Sequence, residues 1–163
     1  MKKLMAVALC LLLAVLMTAV ATAESVEGLF DGTWVQFEDG FELYLPSDWY
    51  SFECTEEMNA QGIFFIAGTE DMAYSCTLAW QPLEEDCTIE EFHAELVTAY
   101  PDAEIVEVNG VALIVYADAE NNLLNCIALD ASEPGFYMFA FSPADDEDFV
   151  SLAALIASSI RNM

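Results

Sequence analysis

From Ala103 to Phe141, apolar runs alternate with short turn signals, a pattern that predicts an antiparallel meander. Ala103-Glu-Ile-Val-Glu-Val108 leads through Asn109-Gly110 into Val111-Ala-Leu-Ile-Val-Tyr116. Asn-Gly between β-branched runs readily takes the positive φ values of a two-residue hairpin turn. Leu123–Leu129 and Phe136–Phe141 extend the meander across Asp118–Asn122 and Ser132-Glu-Pro-Gly135. Upstream, Thr33–Phe37 and Phe41–Leu45 alternate apolar and polar residues around Asp39-Gly40, where the sheet is expected to begin. Gly62–Ala67 and Met72–Trp80 read as a further hairpin across Gly68–Asp71. Pro46 stops the second strand, and Trp49, Tyr50 and Phe52 behind it are expected to cover one end of the core. Glu53–Gln61 reads as a loop or one helical turn.

Two segments switch to helical spacing. Thr88-Ile-Glu-Glu91 matches a capping box, in which the threonine and the glutamate three residues on satisfy free N–H groups at a helix start. Ile89, Phe92, Leu96 and Tyr100 then predict a helix over 89–100, ended by Pro101. Ser142-Pro143 offers an N-cap and a first-turn proline for a last helix. Its buried stripe is Phe149, Leu152, Ile156 and Ile160, and Arg161 falls at the C-terminal end, where the dipole favours a cation.

The first 23 residues add a location. Lys2-Lys3, an apolar run from Leu4 to about Met17 and Ala21-Thr-Ala23 follow the order of a secretory signal peptide, with cleavage expected after Ala23. The apolar run is shorter than the roughly 20 residues that span a bilayer. Residues 24–163 are then expected to form one secreted or extracytoplasmic α+β domain, without stable membrane insertion. Four cysteines follow the signal segment, namely Cys54, Cys76, Cys87 and Cys126. An exported protein can pair them as two disulfides in any of three connectivities, or leave them as buried thiols.

Charge removes partners. All 29 Asp and Glu lie beyond Ala23, where Arg161 is the sole Lys or Arg, and the whole chain carries a formal charge of −26. Such a field repels nucleic acid and anionic membranes and favours solubility or a basic protein or peptide partner.

It also removes chemistry. No lysine remains for a Schiff base or phosphate loop, and neither Gly-x-Gly-x-x-Gly nor Gly-x-Ser-x-Gly occurs. A histidine-based centre would have to use His93, which reads as a boundary residue of the first long helix. Metal-ligand spacings of the Cys-x-x-Cys or His-Glu-x-x-His type are missing. Calcium is the ion best suited to the oxygen-rich clusters Asp145-Asp-Glu-Asp148 and Asp118-Ala-Glu-Asn-Asn122. Neither has the order of a calcium loop, and they read instead as helix-start charge and a turn. The sequence therefore nominates no catalytic or cofactor-binding residue and leaves metal binding open. Paired carboxylates could hydrolyse a glycoside, but no pair stands out, so a carboxylate-based extracellular hydrolase is the second reading.

The hairpin with Pro46 and Trp49, the capped helix from Thr88, the Asn109-Gly110 meander, the strand Phe136–Phe141 and the closing Ala157-Ser-Ser-Ile-Arg161 resemble the PsbP-like α/β/α sandwich. The resemblance spans Trp34 to Arg161 and implies an antiparallel sheet flanked by two main helices. Its members include a photosystem accessory protein, a nuclear-transport GTPase-binding protein and exported bacterial domains of unassigned role. The resemblance thus implies assistance or binding without catalysis, and carries over no functional residue.

Overall fold

The computed structural model describes residues 26–38 and 40–161. The signal-peptide segment and Asp39 of the predicted Asp39-Gly40 turn lie outside the described residues. A 3-10 turn, Val26–Gly28, precedes the hairpin β1 (Gly32–Gln36) and β2 (Glu42–Pro46). Then come β3 (Tyr50–Phe52), α1 (Glu56–Ala60), β4 (Ile63–Gly68), β5 (Ser75–Pro82) and α2 (Ile89–Leu96). The meander follows as β6 (Glu104–Val108), β7 (Val111–Asp118), β8 (Leu123–Leu129) and β9 (Gly135–Ser142), and α3 (Glu147–Ser158) closes the chain.

Seven strands form one antiparallel sheet in the order β3-β4-β5-β9-β8-β7-β6. The meander is as predicted, and Asn109 and Gly110 take φ values of 51° and 80° at its first turn. Its last strand, β9, also pairs with β5 along its whole length, from Ser75↔Ser142 to Pro82↔Gly135, and so joins the two halves. The hairpin β1-β2 does not begin this sheet but forms a two-stranded sheet of its own. Alternation says which face is buried and not which edge is paired. Phe41, Leu43 and Leu45 are buried in the core, and Phe41 meets the rings of Tyr137 and Phe139 at 5.1 and 5.8 Å.

The sheet buries both faces. On one, Leu78, Leu113, Val115, Leu124, Phe139 and Phe141 pack under the β1-β2 hairpin and the Phe149, Ala153 and Ile156 stripe of α3. On the other, Ile114, Tyr116 and Ile127 pack under Ile89, Phe92 and Leu96 of α2. Helices on both faces make the α/β/α sandwich, and the class is α+β. Among the described residues no helix is long and apolar enough to cross a membrane.

The Thr88 box caps α2 from both sides: Thr88 Oγ1 accepts from Glu91 N, and Glu91 Oε2 accepts from Thr88 N. The helix closes at Leu96, before the predicted Tyr100, because Thr98 and Ala99 donate to carbonyls three residues back and tighten the chain. That turn sets Tyr100 against Tyr116, with ring centres 4.3 Å apart. For α3 the predicted start is corrected. Ser142 still pairs in β9, and the N-cap is Asp146, whose Oδ1 accepts from Phe149 N at 3.0 Å.

Two further expectations change. Trp49 stacks on Phe149 and Phe52 is half-buried, but Tyr50, at the start of the edge strand β3, is 56% exposed. Arg161 does not serve the helix end; it bridges backbone to backbone with Glu42 of β2. All four described cysteines are free thiols. Cys76 and Cys126 are buried opposite Phe141 and Phe139 of β9, and burial pushes the Cys126 thiol up to about 12 and raises Cys76 well above its usual range.

Candidate functional site

The sequence-nominated polar residues are bound up in structure. His93 lies 2.9 Å through Nε2 from the Ala103 carbonyl, which can only accept, so the ring N–H ties α2 to the approach to β6. Asp118 accepts from the N–H groups of Glu120 and Asn121 through Oδ1 and from Asn121 Nδ2 through Oδ2. The Asn121 side chain and backbone hold its carboxyl below the usual range. The two acidic clusters meet, because Asn122 donates to Asp145 Oδ1 at 2.8 Å while its own Oδ1 accepts from Ala144 N. Asp146 caps α3 and accepts the Tyr74 hydroxyl at 2.9 Å. Among the described residues no group of His, Cys, Asp and Glu is arranged to hold a metal ion.

A different place gathers aromatic side chains and a carboxylate around one surface hollow. Where β4 begins, β5 ends and β9 begins, a shallow open depression of about 340 Å³ is lined by Asn59, Ile63, Phe64, Trp80, Glu133 and Tyr137. Trp80 and Tyr137 are register partners. Phe64, 37% exposed, meets the Tyr137 ring edge-on at 6.3 Å. Glu133 is exposed on the β8-β9 turn.

Trp80 is fixed by its surroundings. Its indole lies over Gly135, where an added Cβ would stand 2.6 Å from the ring, so the glycine makes the position possible. Its backbone N–H donates to the Gly62 carbonyl, and Gly62 has a φ of +79° that disfavours any other residue. Its Nε1 donates to Asp130 Oδ2 at 3.0 Å. Asp130 Oδ1 in turn accepts from the Ser132 N–H and hydroxyl at 2.8 and 2.7 Å. Burial alone would raise the Asp130 carboxyl, but the bonds from Ser132, Trp80 and Tyr137 outweigh it and hold the group below its usual range. Asp130 is thus an anchoring carboxylate and not a reservoir of protons. Aromatic walls beside Glu133 suit a flat or cationic group. Sequence reading placed Trp80 in a strand and Ser132–Gly135 in a turn; only the β5-β9 register brings them together.

A second tryptophan, Trp34, stands on β1 of the two-stranded sheet. Arg161 Cζ lies 3.5 Å from the centre of the Trp34 ring, and its Nε is 2.7 Å from Glu42 Oε2. Trp34 Nε1 donates to Glu27 Oε1 at 2.5 Å.

No protein-family model and no curated protein matches this chain. Solved structures do. The chain is similar to the solution structure of cyanobacterial PsbP (CyanoP) from Synechocystis sp. PCC 6803, with a TM-score of 0.58 and 15% identity over 82% of this chain and 93% of that one. It is also similar to a crystal structure from Bacteroides thetaiotaomicron VPI-5482, with a TM-score of 0.53 and 13% identity. The chain covers 49% of that protein, about half its length, and the match spans 82% of this chain. At these identities the likeness is one of architecture: the chain has the PsbP-like α/β/α fold.

Proposed function

We propose that this chain is an exported, non-catalytic binding or accessory protein whose acidic surface engages a basic protein or peptide. The observation that carries the reading is charge: 29 Asp and Glu stand against one Arg161 beyond the N-terminal segment, and that arginine is paired with Glu42. A field of this sign concentrates cations and steers basic partners to the surface. The order of charges at residues 1–23 supports export. Asp118, Asp130 and Asp146 are engaged by N–H or O–H donors, a use of carboxylates that builds a scaffold.

The test is the binding of a fluorescent arginine- and lysine-rich peptide, followed by anisotropy at low and at high ionic strength. Binding at low salt that weakens as salt rises, with an acidic control peptide inert, is the expected result. Equal binding of both peptides, or none of the basic one at low salt, would overturn the proposal.

A further inference from the structure

Trp34 and Trp80 are built alike. Each indole N–H donates to a carboxylate, Glu27 or Asp130; a second carboxylate, Glu42, reaches Trp34 through the Arg161 guanidinium, and Glu133 lines the same depression as Trp80. At Trp34 the guanidinium of Arg161 lies on the ring and bonds to Glu42. Apart from Lys2 and Lys3, the sequence has no further Lys or Arg, so a cation for Trp80 would come from another molecule.

We infer that the Trp80 depression receives an arginine side chain of a basic partner, with the guanidinium on the aromatic surface of Trp80 and Phe64 and paired with Glu133. The inference rests on the function proposed above and gives it a place. A guanidinium is planar, weakly hydrated and stacks on aromatic faces, whereas an ammonium keeps its water. The tie to Asp130 and the seat on Gly135 hold the indole in place without the ligand, so little ordering is needed on binding. At about 340 Å³ the depression is at the small end of ligand sites and suits one side chain. The acidic field favours a cation over a neutral sugar, the other group that aromatic walls accept.

The experiment follows the Trp80 indole N–H resonance of the whole protein, assigned with Trp80→Phe, during titration with Nα-acetyl-arginine amide. The same titration with the citrulline analogue, which keeps the shape without the charge, and with a neutral oligosaccharide supplies the contrasts. A saturable shift with arginine alone is expected. Glu133→Gln should weaken it about two- to fivefold and Glu133→Lys should abolish it. Glu133 is an exposed turn residue, so both variants keep the fold, which circular dichroism checks. An equal response to citrulline, a response only to the sugar, or none to arginine overturns the inference. A basic peptide that binds without moving the Trp80 resonance overturns this site while leaving the acidic-surface proposal standing. Failure of that peptide to bind at all overturns the broader proposal and this inference with it.

Discussion

The Asn109 side chain closes the C-terminal end of α3: its Nδ2 donates to the Ser158 carbonyl at 2.9 Å and to the Ile160 carbonyl at 3.1 Å. A residue that reads as a turn former thus also satisfies carbonyls that a helix end leaves without partners. The first core layer, α3 against the sheet, is fastened through it to the β6-β7 turn.

Asn109→Gly separates the two roles. Glycine takes the φ of 51° without strain, so a residue that only turned the chain would be replaced at little cost. Loss of the two bonds should instead lower stability by about 1–2 kcal/mol in urea unfolding. An unchanged midpoint would show that water replaces the amide at the helix end.

Much of this architecture was legible in the sequence because its signals are local. Asn109-Gly110 and Thr88-x-x-Glu91 fix a turn and a helix start within four residues, and both are found where predicted. Partnerships between distant segments were not legible. Alternation in β1 and β2 fixes a buried face, yet the choice between joining the sheet edge and lying across the sheet depends on what else covers Tyr137 and Phe139. Ser142-Pro143 carried a valid helix-start signal, but Ser142 is held by its ladder partner Ser75 and Asp146 takes over the cap. The Trp80 depression had no sequence signature, since residues from α1, β4, β5, the β8-β9 turn and β9 meet there only through pairing register.

Gly135→Ala tests whether Trp80 is held in place or merely rests there. Gly135 has no positive φ, so the backbone accepts alanine, and the conflict is only between the new methyl and the indole. The ring should lift away and its bond to Asp130 should break. Tryptophan emission is expected to shift to the red, with a loss of about 1–3 kcal/mol in unfolding. Unchanged emission would mean that the ring adapts without leaving Asp130.

The thiols should separate by layer. Cys76 and Cys126 are sealed in the core with their thiols pushed up by burial, so they should resist a disulfide reagent until the protein unfolds. Cys54 and Cys87 are half-buried and should react in the native state. Desolvation and the neighbouring Glu91, Glu95 and Asp86 raise the Cys87 thiol, so its rate should climb as pH increases past neutrality. Four equivalents reacting at one rate in native buffer would contradict the burial.

Acid and salt should act through different groups. The carboxyls of Asp71, Asp118, Asp130, Asp146 and Glu91 are all held below their usual values by hydrogen bonds in the folded chain. A carboxyl depressed on folding stabilises the native state above its unfolded pKa, about 3.9–4.3, and that contribution fades as pH falls through the lower folded value. Stability from these groups is therefore full at neutral pH and should decline progressively below about pH 4. Salt works on the excess charge instead. With a formal charge of −26, screening relieves repulsion between carboxylates, so added sodium chloride at pH 7 should raise the unfolding temperature. The same salt should weaken the Arg161–Glu42 pair, which is exposed and worth less than about 1 kcal/mol. The net sign is the measurement: a melting temperature that falls with salt at pH 7 would show that repulsion within the negative field does not limit the stability of the fold.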